Sequence, residues 1–447
     1  MRALLRMLRA TATRLAYYAY CATTKVRQWP SVVRERRPAF LSDETPRLAQ
    51  GDIFAIVVKY AKFGLTPDFL DLLQSLEEGG VNAIVVCNGK LDAASHALLL
   101  RSAHRVLVRR NVGRDMGAYR AATLYLSEQG LRPGRMLYLN DSIFFLKGKE
   151  LDDLVGALCQ RRFDVTGAFE NHEKSHHIGS YALAVSGEVF LDSDVLRFWR
   201  RYRPYDLRPY AILHGEVALS ACLKQRGYSI DVIYSAEKLV HQLNALDLRG
   251  LISLTQVMRP AFRLQPLDGL MAQSMAALRL VEPLSVSSQT GPAVAAASAV
   301  PVESAMPVAP VVTASGTPTL ASYRARRAQL AEQARTPVSP VPDPVDDQSL
   351  KVAQALARRA LVDRLMMEVT QGSQIHLGFG LFRTLMRCPI VKKDLIARDI
   401  YFEHDCEMIL QDVESEMRSK IVREMVNRGR PLFVQGRLRF LLDHGLV

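Results

Sequence analysis

The chain has 447 residues, 49% of them hydrophobic, with a formal net charge of +13 at pH 7. That length allows two or three domains, and that apolar fraction excludes wholesale disorder. Cys21, Cys87, Cys159, Cys222, Cys388 and Cys406 are scattered singly, which excludes a disulfide framework or a C-x-x-C zinc site and fits a reducing cytoplasm.

The positive charge concentrates at the start. Arg2, Arg6, Arg9, Arg14, Lys25, Arg27, Arg34, Arg36 and Arg37 face a single acid, Glu35. Leu4, Leu5, Met7, Leu8, Leu15, Tyr17 and Tyr18 recur near helical spacing, so residues 1–45 are expected to form a basic amphipathic arm. Arginines break the apolar run too often for a membrane span or a secretory signal. Docking on an anionic membrane surface follows if each basic group adds about 1 kcal/mol near it; packing on the protein's own domain is the alternative. No aromatic stacking platform or recognition motif accompanies the charge, so no nucleic-acid partner is expected.

From Gly51, short β-branched runs alternate with helical segments. Strands are predicted at Asp52–Lys59, Val81–Cys87, Arg105–Val108 and Arg135–Leu139, separated by helices at Pro67–Leu76, Leu91–Arg101 and Ala118–Gln129. This is the pattern of an α/β, mostly parallel sheet flanked by helices, with the domain spanning residues 50–245. Further strands are predicted at Asp164–Phe169, Tyr181–Val185 and Ser229–Tyr234, and further helices near Asp194–Tyr202 and Glu216–Gly227. A helical extension at 246–281 leads to an Ala/Pro/Ser/Val-rich tract at 282–348 that cannot bury a core and is expected to be a disordered linker. A helical module follows at 349–447.

In open α/β sheets ligands sit beyond the carboxyl ends of the strands. The residues there are polar: Lys59 and Tyr60, then Asn88, then Asn111, Arg114 and Asp115, then Asn140, Asp141 and Ser142. Such a rim can contact a base, a ribose and a sugar and can screen a diphosphate. Asp141 is the candidate ligand for a divalent cation, Mg²⁺ or Mn²⁺, which needs only one or two protein carboxylates; a strand-ending turn is the plainer explanation of Asn-Asp-Ser. Asn111-Val-Gly-Arg-Asp-Met-Gly117 enters a helix whose amides favour an anion near Arg114, with Asp115 either at the ligand or capping the helix. His214-Gly-Glu216 offers two candidate general bases. His172, Glu173, His176 and His177 are read as a loop rather than a metal site, and Trp199 as a residue packing on the sheet.

Together Asn111-Val-Gly-Arg-Asp-Met-Gly-Ala-Tyr119, Leu139-Asn-Asp-Ser142, His177-Ile-Gly-Ser-Tyr181, Phe198-Trp199, Glu216-Val-Ala-Leu-Ser220 and Gly227-Tyr228 resemble the rhamnan synthesis protein F family over about Ile53 to Val240. The resemblance implies a glycosyltransferase-A-like (Rossmann-like) fold. It also implies an inverting transfer of a sugar, with dTDP-rhamnose as donor and a lipid-linked glycan of O-antigen, capsule or rhamnan as acceptor, on the cytoplasmic face of a bacterial inner membrane. It makes Asp141 the metal-binding acid and Glu216 the base, and puts Arg114, Asp115, His177 and Tyr181 along the cleft. Asn140-Asp141-Ser142 stands where such enzymes often carry two acids, which leaves a non-catalytic scaffold subunit of a polysaccharide assembly complex as the alternative. Gln374-Ile-His376 through Cys388-Pro-Ile-Val-Lys-Lys-Asp-Leu395 resembles a tail that follows related domains, and is expected to fold back on the catalytic unit.

Overall fold

The computed structural model describes residues 2–172, 175–263 and 347–428, without the side chains of residues 2–10, 12–14, 63, 347, 349 and 350. The Ala/Pro/Ser/Val tract up to residue 346, the second half of the 246–281 extension, Glu173 and the basic tail beyond Arg428 lie outside the described residues. So do the side chains of the arm's first basic and apolar positions. The chain divides into two units: Met1–Leu246 with Ser253–Gln265 and Arg364–Val447, and Asp247–Ile252 with Pro266–Asp363. The described part of the second unit is helical. Among the described residues no helix is long and apolar enough to cross a membrane.

The first unit is built on strands β1 (Ser42–Glu44), β2 (Ile53–Tyr60), β3 (Asn82–Asn88), β4 (Arg105–Arg109), β5 (Arg135–Asn140), β6 (Ile143–Phe145), β7 (Val165–Asn171), β8 (His177–Ile178), β9 (Ala182–Ser186), β10 (Ile230–Tyr234) and β11 (Ile390–Lys392). The main sheet runs β1-β4-β3-β2-β5-β9-β7-β10, with β8 on β7. Its centre, β4-β3-β2-β5, is parallel. The reason lies in the sequence: β2 and β3 are apolar on both faces and buried along nearly their whole length. The helices α2 (Pro67–Glu78), α3 (Ala93–Ser102) and α4 (Arg114–Glu128) supply the crossovers.

Beyond β5 the sheet departs from the expected parallel order, because β9 is antiparallel to both β5 and β7. Only ten residues separate the end of β7 from the start of β9, too few for the crossover helix that a parallel return requires. Phe54, Ile56 and Val58 of β2 pack with Met116, Tyr119, Ala122 and Leu126 of α4 and with Trp199. Trp199 is 2% exposed and lies 6.3 Å from the Tyr138 ring, so it packs on the sheet as expected.

A second core forms where the chain returns. The β11 strand pairs antiparallel with β6, matching Ile390 to Phe145 and Lys392 to Ile143. Around this two-stranded ribbon Phe144, Phe379, Val391, Leu395, Tyr401, Leu410 and Met425 bury one another. Because β6 starts immediately after Asn140-Asp141-Ser142, this core anchors the return segment beside the carboxyl end of β5.

The N-terminal helix α1 (Arg2–Arg34) docks by its end. Glu35, the single acid between Met1 and Pro38, is buried with Arg109 Nη2 at 3.1 Å, while Arg120 donates to the Glu35 and Arg36 carbonyls. Burial of an acid is tolerated only with such a partner.

Candidate active site

A cleft of about 490 Å³ opens at the carboxyl end of β5. Of the residues selected from sequence, Arg114, Asp115, Asn140, Ser142, His177, Tyr181 and Glu216 line it. Lys59, Tyr60, Asn88, Asn111, Asp141 and His214 are not in its lining.

The turn into α4 is forced. Gly113 and Arg114 both adopt left-handed backbone, at φ 79° and 55°. A Cβ on Gly113 would lie 2.2 Å from the Pro204 Cβ, and the Gly113 amide donates to Asp206 Oδ1 at 2.6 Å. Strain of this kind at a non-glycine residue costs about 1 kcal/mol or more and persists where surroundings over-determine it. Here it presents the exposed Arg114 side chain to the cleft. Gly113 takes the N-cap position, so Asp115 is not the cap and sits inside the first helical turn. Burial first, and the negative charge of Asp141 second, push its carboxyl up to about 6.

Glu216 belongs to a π-helical stretch, Ala211–Val217, that runs on into the helix Ala218–Gln225, so it does not open that helix. Such wide turns recur at functional sites because they reset which side chain faces inward. Its Oε1 accepts from the Ser180 amide at 3.3 Å and from the Ser180 hydroxyl, and His177 Nε2 stands 3.9 Å from Oε2. The peptide that carries Ser180 is itself fixed, because Tyr119 Oη donates to the Ser180 carbonyl at 3.0 Å. His214, two residues away, points elsewhere, as positions i and i+2 of a helix must. It rests 4.3 Å from the Tyr210 ring, and burial and the Lys25 charge lower its pKa.

Asn140 Oδ1 accepts from both the Ser142 amide and hydroxyl, which closes the strand-ending turn. Asp141 turns Oδ2 toward β2. Its Oδ2 accepts from Lys59 Nζ at 2.8 Å and from the Tyr60 amide at 3.1 Å, and the Lys59 side chain is 1% exposed. Both contacts fall on Oδ2, so Oδ1 is the oxygen with which Asp141 fits a divalent cation needing one protein carboxylate. Asn88 is likewise turned inward, accepting from Arg109 at 2.7 Å and donating to the Arg114 carbonyl at 3.4 Å. Asn111 is exposed.

The loop expected around His172 is a connection between β7 and β8, with His177 inside β8. Glu170, His172 and His176 bring ligand atoms within 4.8 Å of one another, the single such grouping among the described residues. His176 bonds Glu170 at 2.7 Å, and the histidines hold the Glu170 carboxyl well below the usual range against the opposing effect of burial.

The return segment folds back on the sheet domain as expected, but sequence reasoning did not place its side chains in the site: Ser373, His376, Lys392, Asp394 and Arg398, with Arg208 from the short helix Arg208–Tyr210, form the third wall of the cleft. Lys392 Nζ lies 3.1 Å from Ser142 Oγ and 4.2 Å from the centre of the Tyr181 ring. The sequence signal that was available is the Lys-Lys-Asp run directly after an Ile-Val strand.

No family model matches the chain. It is 27% identical over 201 residues to the uncharacterized protein y4gN of Sinorhizobium fredii (strain NBRC 101917 / NGR234), over 44% of this chain and 52% of that protein. The chain therefore spans about half the length of the curated relative it matches. Among solved structures, the mannosyltransferase PcManGT from Pyrobaculum calidifontis, in complex with GDP-Man and Mn²⁺, is similar at a TM-score of 0.26 and 11% identity, over 50% of this chain and 65% of that one.

Proposed function

We propose that this protein is a glycosyltransferase-A-like enzyme that transfers a sugar from a nucleotide-sugar to a growing cell-surface polysaccharide. The observation that carries the reading is Glu216: a carboxylate held by Ser180 and faced by His177, in a cleft at the carboxyl end of the central strands. In an inverting transfer the acceptor hydroxyl oxygen forms a bond to the anomeric carbon while the bond from that carbon to the donor phosphate breaks. Its electron pair leaves with the diphosphate, and the hydroxyl proton passes to Glu216. Two hydrogen bonds to Oε1 leave Oε2 to receive that proton. A divalent cation on Asp141 would supply charge neutralisation at the diphosphate. Rhamnose as the sugar and a lipid-linked glycan as acceptor rest on the resemblance of the Asn111–Tyr119, Leu139–Ser142 and His177–Tyr181 segments.

A place on the cytoplasmic face of a bacterial inner membrane belongs to the same reading. Leu15, Tyr18, Val26, Trp29 and Val33 are exposed and fall on one stripe of α1, flanked by Lys25, Arg27 and Arg34. A mixed aromatic and basic helix of this kind suits an anionic interface. Trp29 is one of two tryptophans and Trp199 is buried, so a blue shift on adding phosphatidylglycerol vesicles reports on Trp29. No shift at low salt removes the membrane from the proposal.

The function is tested by thermal shift against dTDP, UDP and GDP, each with Mg²⁺, Mn²⁺ or EDTA. A ligand at a hundred times its dissociation constant adds about 2.7 kcal/mol. A shift with dTDP that needs the metal and is lost in Asp141→Ala supports the donor and the cation together. No shift with any nucleotide sinks the donor reading and favours the scaffold.

A further inference from the structure

We infer that the return segment completes the cleft as a pyrophosphate seat, in which Lys392, Arg208 and Arg398, with Arg114 facing them, hold the pyrophosphate group of a substrate. The inference rests on the cleft being the glycosyl-transfer site and adds the residues that hold the phosphates.

Lys392 carries the argument. Its strand β11 is fixed by pairing with β6, and in that register Lys392 lies opposite Ile143, next to the Asn140-Asp141-Ser142 turn. The ammonium reaches Ser142 Oγ, a neutral oxygen, and the face of Tyr181. Among the described residues no carboxylate lies within 4.0 Å of it. Burial lowers its pKa, while Asp394 and Glu216 draw it back up. A desolvated ammonium facing a cleft is stabilised by an anion that enters beside it.

The neighbouring cations are set for the same task. Asp394 accepts from His376 Nε2 at 2.9 Å and lies 3.7 Å from Arg398 and 3.9 Å from Arg208. One carboxylate thus stands between two guanidiniums, which orients both without cancelling their combined charge. Burial lowers the His376 pKa to about 4, so the imidazole is neutral near pH 7 and spends no charge on Asp394. Lys393, by contrast, is committed, to Asp68 at 3.4 Å and Glu424 at 3.6 Å. The cleft lining holds six lysines and arginines against the four carboxylates Asp115, Glu170, Glu216 and Asp394, a surplus suited to a pyrophosphate. Guanidiniums match phosphate oxygens in pairs, and an ammonium serves as a point charge. The pyrophosphate belongs either to the nucleotide donor or to a lipid-linked acceptor.

The test is calorimetric binding to the full chain of inorganic pyrophosphate, of dTDP, UDP and GDP, and of farnesyl diphosphate, with and without Mg²⁺. Lys392→Met is expected to weaken pyrophosphate binding roughly tenfold or more, the loss of a charge-assisted contact, with Lys392→Arg retaining most of it. Competition by a nucleoside diphosphate assigns the seat to the donor; competition by farnesyl diphosphate alone assigns it to the acceptor and overturns the donor reading while the seat stands. Pyrophosphate binding that is identical in wild type and Lys392→Met overturns the seat, while the donor reading survives as long as a nucleotide binds. Should Lys392→Met not fold, Arg208→Gln takes its place, with severalfold weaker binding expected and unchanged binding counting against the seat.

Discussion

The two halves of the sheet rim carry the same sequence signal and use it in opposite ways. At the ends of β2, β3 and β4 the polar groups are spent on the protein itself: Lys59 on Asp141, Asn88 on Arg109, and Arg109 on Glu35. At the end of β5 and around β8, Asn140, Ser142, His177 and Tyr181 face the cleft, as does Glu216 from its π-helical turn. The difference is what covers each end. In the first half the end of β4 lies against the end of α1 and its buried Glu35, and Lys59 of β2 lies over the Phe69 ring of α2, so each charge there needs an internal partner. The second half is walled by the return segment, which leaves room between the walls. A polar residue after a strand is thus a candidate only until the elements packed over that strand end are known.

The comparison breaks most sharply at Glu216. Glu216→Gln keeps the shape of the side chain and removes the proton acceptor, so kcat is expected to fall by about 100-fold or more with little change in melting temperature. Transfer at the wild-type rate would remove Glu216 from the chemistry. On the closed half the expected damage is to folding. Glu35→Gln leaves Arg109 buried beside a neutral group, and unfolding in urea should show a loss of about 3–5 kcal/mol, with nucleotide affinity of the folded protein unchanged.

A smaller effect probes the border between the halves. The Asp115 pKa is raised in the folded state, from 3.8 to about 6. The stability it lends is therefore full below the unfolded value and is lost as pH rises through about 6. Asp115→Asn should melt higher than wild type above that point, and the gap should shrink as pH falls toward the ordinary carboxylate range. A gap that widens on acidification reverses the assignment. Least of all should follow from Asn111→Ala, an exposed position outside the cleft, where stability is expected to stay within about 0.5 kcal/mol and transfer to stay as it was.

The parallel centre was legible because β2, β3 and β5 are short apolar runs separated by helical segments, and such runs have few ways to be buried. The strand-end rule picked Asn140 and Ser142 and the family resemblance picked His177 and Tyr181, and the fold brings all four into one cleft. The strand-end rule does not distinguish Lys59 or Asn88 from Asn140 and Ser142, because inward and outward polar groups look alike until their partners are known. The antiparallel turn of β9 followed from a connection length that was readable but not weighed. The seat at Lys392 was not readable at all from spacing, since Ser142 and Lys392 are 250 residues apart.

The sequence by itself determined the central strands and the helices between them, where the basic arm lies, and that polar groups gather at the carboxyl ends of the strands. These are local matters of periodicity, turn chemistry and charge. Only the tertiary structure decided which of those groups are neutralised inside and which remain for a ligand. That depends on the desolvation of each charge, and so on what distant parts of the chain, Glu35 on one side and the segment around Lys392 on the other, bring against it.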